Sequence, residues 1–284
     1  MQNAGGSPAA RAARAGIEED DAAPADVFRQ NPPPALFRYR SLSGKGREWT
    51  EDIVLNSHFF WPSPVSFNDP FDFAPLVDVP QGIRLRLALL KVRARQRLLA
   101  GRRNADEAFK AVSRMTRAQL LERMRWALND TAEHAGVICY SEVPDNVLMW
   151  GHYADSHRGI CLRFDPHIAQ IEPSNLVYRV QYDEARPMLA RFLEREDSGA
   201  LAQALTTKAA FWKYEREWRA IENKGANLRL PFDQSFLTGI ILGCRASAAT
   251  EELVRDWVRQ RVRPTEILRA VPCPETYAIT LMPA

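Results

Sequence analysis

Phe211-Trp212-Lys213-Tyr214-Glu215-Arg216-Glu217-Trp218-Arg219-Ala220-Ile221 is the stretch on which the fold reading turns. From Tyr214 to Ile221 it predicts an extended strand, and side chains on a strand alternate between faces. Glu215, Glu217 and Arg219 would then share one face, with Tyr214, Arg216, Trp218 and Ala220 on the other. A Glu-x-Glu-x-Arg face is costly to bury unless its charges meet partners or a ligand. The stretch is therefore read as a candidate active site, with surface ion pairing on a solvated strand as the competing reading.

Short strands are also read on either side of it. Upstream they are Leu36–Arg40, Phe59–Trp61, Val137–Tyr140, Ile160–Phe164 and Val177–Tyr182; downstream they are Gly239–Leu242, Glu266–Val271 and Tyr277–Leu281. Helical patterns fall at Glu51–Asn56, Arg84 to about Leu99, Asp106–Arg114, Thr116 to about Leu128 and Pro187 to about Phe211. Thr116 is a predicted N-cap, and Thr250 is read as capping a helix that Pro264 stops. Met149–His157 reads as one or two helical turns ending near Gly159. Together these predict an α+β fold, with a mixed or antiparallel core of short strands, helices at its edges and a helical insertion at about 81–130. Residues 1–34, rich in Ala, Gly, Pro and Arg, read as a disordered leader before a single domain at 35–284.

Composition narrows the function classes. The chain has 284 residues, 46% of them hydrophobic, and a net charge of +3. No apolar run approaches the ~18 residues that span a bilayer, and no secretory signal opens the chain, so a cytoplasmic location without membrane contact is expected. Cys139, Cys161, Cys244 and Cys273 are widely spaced and read as free thiols of a reducing compartment. Between Gln81 and Arg103 lie eight basic residues and no acid, so the helix spanning Arg84–Arg103 is a candidate nucleic-acid contact. His152 and His157 flank Asp155, but a spacing of five does not place two ligands on one helical face. An aromatic and imidazole wall of Trp150, His152 and Tyr153 around a planar ligand fits that segment better.

Leu36-Phe-Arg-Tyr-Arg40, Phe67-Asn-Asp-Pro-Phe71, Met149-Trp-Gly-His-Tyr-Ala154, His157-Arg-Gly-Ile-Cys-Leu162, Tyr214-Glu-Arg-Glu-Trp-Arg219 and Ile241-Leu-Gly-Cys-Arg245 together resemble the prokaryotic domain of unknown function 2971. That resemblance runs from about Leu36 to the C-terminus and implies no chemistry. More distantly, the order of motifs is similar to ADP-ribosyltransferases, which would imply a split sheet and NAD as a substrate. That likeness implies Glu217 and Glu215 as catalytic residues. It also implies Arg38 (with Arg40 as rival), Tyr39, Ser66 (or Ser63), Asn68, Trp150, His152 and Tyr153 around NAD, with no metal. The function expected is an NAD-consuming transferase modifying a nucleic acid or protein, as a bacterial toxin or defence effector. A metal-dependent nuclease using His152, Asp155, His157 and Asp69, or a non-catalytic binding module, stand as alternatives.

Overall fold

The computed structural model describes residues 33–79, parts of 81–93, 102–167, 176–188 and 206–284. Strand β1 (Leu36–Arg40) leads into helix α1 (Lys45–Glu51), which continues as a π-helical turn over Asp52–Asn56, and then into β2 (His58–Trp61). Helices α2 (Arg102–Ser113) and α3 (Arg117–His134) precede β3 (Gly136–Ser141), α4 (Val147–Tyr153) and β4 (Ile160–Phe164). Then come β5 (Leu176–Arg179), β6 (Gln181–Asp183), β7 (Thr207–Ala209), β8 (Glu217–Glu222) and β9 (Leu228–Pro231). The chain closes with β10 (Leu237–Leu242), α5 (Ala248–Gln260), β11 (Glu266–Pro272) and β12 (Ile279–Pro283).

The fold is α+β. Eight strands form one mixed, mostly antiparallel sheet in the order β12-β11-β10-β4-β1-β3-β8-β5, and β2–β9 and β6–β7 form separate ribbons. Within the sheet only β10 and β11 pair in parallel. A parallel pair cannot be closed by a tight turn, and α5 provides the crossover. The sheet is narrowest at its centre, where β1 and β3 share the single register Phe37↔Ser141.

Two faces follow from strand alternation. One packs Leu36, Tyr140, Leu162, Trp218 and Ile240 against Ile53, Val54, Phe59, Val254 and Trp257, so the π turn, β2 and α5 cover it. The other carries two smaller clusters. Phe37, Tyr39, Cys161 and Ile241 pack with Met149 and Trp150 of α4, while Val137, Tyr178 and Ile221 pack with Phe73 and Ala135. The gap between these two clusters, over β3 and β8, is filled by polar side chains.

Helix α3 begins where its sequence says it should. Thr116 Oγ1 accepts from the Gln119 amide, and the Gln119 side chain accepts in return from the Thr116 amide, a reciprocal capping box. Thr116→Ala is expected to cost about 1 kcal/mol, read from the denaturant midpoint. The second predicted cap is corrected: Ser247 caps α5 and Thr250 donates its amide to the Ser247 hydroxyl, because the helix starts three residues before the position read from sequence.

Other expectations shift in detail. Val177–Tyr182 is two strands broken at Val180, whose amide turns to the Glu217 carbonyl. Helical turns do follow Met149, but α4 ends at Tyr153, and Asp155, Ser156 and His157 form a left-handed turn at φ 48°, 51° and 70° before Gly159. The Pro187–Phe211 helix lies largely outside the described residues, and its described end is strand β7. Of the leader, only Pro33 and Pro34 are described. Among the described residues no helix is long and apolar enough to cross a membrane.

Candidate active site

The decisive stretch is not a continuous strand. Ala210–Glu215 is a 3₁₀ turn, Arg216 takes a left-handed conformation at φ 46°, and only from Glu217 does the chain extend. Glu215 therefore reaches the site from a turn, not from strand alternation. Three contacts hold that turn against the sheet. Ser141 Oγ donates to the Glu215 carbonyl at 2.7 Å, Asn146 Nδ2 donates to the Tyr214 carbonyl at 2.9 Å, and the Glu142 amide donates to the Arg216 carbonyl at 3.1 Å. Glu217 and Arg219 do share a strand face, as expected, because they stand opposite Ser141 and Cys139 of β3.

Five ionisable side chains meet there. Lys208 Nζ lies 2.5 Å from Glu215 Oε2, 3.3 Å from Glu217 Oε2 and 3.8 Å from Asp72 Oδ2. The Arg219 fork donates to both Asp72 oxygens at 2.8 and 2.7 Å and to both Glu217 oxygens at 2.7 and 3.0 Å. All are nearly shut off from water: Arg219 is 0% exposed, Glu215 3%, Glu217 4% and Lys208 7%. Three carboxylates thus share two cations, which leaves one surplus negative charge when all are ionised.

Burial and pairing divide the protons unequally. Burial pushes the Glu215 carboxyl above its ordinary range, against the pull of Lys208. Burial acts the same way on Glu217, but Arg219 and Lys208 outweigh it and hold that carboxyl low. Burial would lower Lys208, yet Glu217 and Glu215 raise it above the usual lysine range. Glu215 therefore takes up a proton more readily than Glu217.

A stability prediction follows from the opposite shifts. The depressed Glu217 contributes stability above its ordinary pKa of 4.5, and that contribution is lost as pH falls through its lower folded value. The raised Glu215 works the other way, since its burial costs stability once pH exceeds its ordinary value. Glu217→Gln is expected to flatten the acid limb of a stability–pH curve below 4.5, and Glu215→Gln to remove a loss of stability that sets in as pH rises above 4.5; urea unfolding from pH 3 to 7 reads both.

Aromatic and polar side chains surround the cluster. Tyr153 Oη donates to Glu215 Oε1 at 2.7 Å, and the side chain of Asn68 also bonds this hydroxyl. Trp212 lies over Lys208 at 4.9 Å and donates through Nε1 to Asp69 Oδ2 at 2.7 Å. Tyr214 Oη is 3.0 Å from His152 Nδ1, and His152 is exposed. Behind the strand, the Glu217 amide donates to Tyr182 Oη at 2.8 Å, which fixes the end of β8.

The structure thus brings Glu215, Glu217, Tyr153, Asn68 and His152 together, and places four other candidates elsewhere. Arg38 is on the opposite face of the sheet: Phe37 pairs with Ser141 and so shares the Glu217 face, and its neighbour points away. Tyr39 is on the Glu217 face but packs edge-on to Trp150, and its hydroxyl donates to the Val143 carbonyl. Trp150 is fully buried and donates to the Pro144 carbonyl. Ser66 donates to the Ser63 carbonyl in an exposed turn, and Ser63 donates to the Ala132 carbonyl.

The residues of the nuclease alternative do not converge. His152 faces Tyr214, His157 stacks on Trp150, and Asp155 faces Arg158 at 3.7 Å. Among the described residues no group of three or more His, Cys, Asp and Glu is arranged to hold a metal. Of the basic helix, Arg84, Lys91, Arg95 and Arg97 lie outside the described residues. Arg93 is turned to Asp106 at 2.7 Å and to the Phe109 ring.

Lys208 and Asp72 escaped the sequence reading. Lys208 is the lone cation between Leu205 and Trp212, and Asp72 the lone acid between Phe71 and Phe73. An isolated charge in an apolar run is the signal that could have found them.

Residues 149–220 match the model of a family described as "Protein of unknown function (DUF2971)". The matched segment runs from α4 to β8 and contains Tyr153, Lys208, Glu215, Glu217 and Arg219. No curated protein and no solved structure matches the chain, so the likeness to ADP-ribosyltransferases finds no support there.

Proposed function

We propose that this chain is an NAD-consuming transferase of the ADP-ribosyltransferase type, acting on a macromolecular acceptor, with Glu215 as its reacting carboxylate. One observation carries the reading: three buried carboxylates share two cations beside Tyr153, Trp212, Tyr214 and His152. A site with a surplus negative charge favours a developing cation, and a dry surrounding strengthens that effect. The nicotinamide–ribose bond breaks with its electron pair leaving on the nicotinamide nitrogen, and the ribosyl carbon takes up the positive charge. The acceptor's oxygen or nitrogen then attacks that carbon and gives its proton to Glu215, whose raised affinity for a proton suits the role. Glu217, held by Arg219 and Lys208, sets the field but is too firmly paired to exchange a proton. The half-buried Trp212 and Tyr214 supply flat surfaces for the nicotinamide or adenine ring.

Arg38, Tyr39, Ser66 and Trp150 have no place in this version of the site, which differs there from the family pattern. The test is nicotinamide release from NAD with cellular RNA, DNA and protein offered as acceptors. Release together with labelling of one acceptor class supports the reading, and the label names the target.

A non-catalytic binding module is the second reading. Full occupation of both Glu217 oxygens by Arg219 and Lys208 favours it. It predicts that Glu215→Gln alters stability and no turnover.

A further inference from the structure

On the face opposite Glu217, β1 carries Arg38 and Arg40, one strand repeat apart and therefore about 7 Å from one another at the backbone. The other enclosed cations differ from them: Arg219 and Lys208 each meet at least two carboxylates. Among the described residues neither Arg38 nor Arg40 has an acidic partner. The guanidinium of Arg38 lies over the rings of Phe59 and Tyr140 at 5.3 and 5.8 Å, and its Nη1 is shut off from solvent with no acceptor. Arg40 donates from Nε to Thr50 Oγ1 at 3.1 Å, and that hydroxyl donates in turn to the Gly46 carbonyl at 2.6 Å.

Ring faces attract a cation but accept none of its in-plane N–H bonds, so Arg38 Nη1 still lacks an acceptor. Two half-buried like charges side by side repel, and burial together with Arg38 brings the Arg40 guanidinium down to about 9. Two planar forks on one strand face can bond a tetrahedral oxyanion from two sides, and a dianion would remove the repulsion. The adjoining loop adds exposed Ser43 and Lys45, with Ser41 and Ser43 hydroxyls 2.7 Å apart.

We propose that Arg38 and Arg40 form a binding site for a phosphoryl anion, separate from the Glu215 cluster. The pair then serves a ligand, and without one it costs the fold stability.

The experiment is thermal unfolding of the full chain in matched ionic strength, with inorganic phosphate, pyrophosphate or ADP added. Wild type is expected to rise by about 4 °C or more at saturating pyrophosphate. Arg38→Met and Arg40→Gln are each expected to lose that rise while melting, without ligand, no lower than wild type. Glu215→Gln is expected to keep the rise, which separates this site from the proposed transferase centre. A larger rise with ADP than with pyrophosphate assigns the phosphoryl group to a nucleotide, and equal rises to a free polyphosphate. An unmoved wild type, or a rise that survives in both arginine variants, overturns the proposal. If Arg38→Met does not fold, Arg40→Gln alone decides, because it leaves the Phe59–Arg38–Tyr140 packing intact.

Discussion

Arg219→Met will lower the melting temperature by on the order of 10 °C, the largest stability loss expected of any single change in the cluster. Methionine fills much of the same space, so packing changes little and the loss is electrostatic. Arg219 meets Asp72 through both of its terminal nitrogens and Glu217 through Nε and Nη2. Removing it leaves two enclosed carboxylates with Lys208, already shared with Glu215, as their one neighbouring cation among the described residues. Breaking a buried pair from one side typically costs about 3–5 kcal/mol, because the abandoned charge has no solvent to return to. Asp72→Asn placed on top of Arg219→Met should recover part of the loss, and the double-mutant cycle gives the coupling directly. Chemical denaturation at pH 7 is the measurement. A variant within 1 kcal/mol of wild type would show that the network is not what holds β8 in place.

On the proposed transferase reading, Glu215→Gln will lower nicotinamide release by about 10²–10³-fold while leaving the fold intact. The substitution keeps the Tyr153 hydrogen bond available through the amide oxygen and removes the surplus charge. It also removes the carboxylate whose proton affinity burial raises against the pull of Lys208. Lys208 keeps Glu217 and Asp72 as partners, so the charge balance of the variant is even and its stability should hold or rise. Glu217→Gln differs, because it takes the carboxylate from Arg219 and weakens the end of β8. Comparing the two separates an effect on rate from an effect on folding.

The α+β class was legible because strand and helix signals in this chain are local. Alternation in Leu36–Arg40, the apolar run Val137–Tyr140 and the Thr116 cap each turned into the element expected. The Glu-x-Glu-x-Arg run also pointed to the right place. Its shape was misread, since the left-handed Arg216 that ends the 3₁₀ turn is a non-glycine residue and gave no cue in the sequence. Lys208 lies only seven residues before Glu215, but the turn that folds it back onto Glu215 and Glu217 has no sequence cue, and Asp72 meets Arg219 across 147 residues, a pairing that only the tertiary fold makes. Arg38 shows the limit of reading by motif order. A residue in the expected sequence position faces the wrong side of the sheet, and register alone decides that.

Nicotinamide release by purified wild-type protein, measured beside Glu215→Gln at equal folded concentration, tests the transferase reading most directly. The prediction is turnover of NAD by wild type, with labelled acceptor, and loss of at least about 100-fold in the variant. Equal release from both proteins, or NAD left intact by wild type in the presence of RNA, DNA and protein, would contradict it and leave the cluster as a structural ion network.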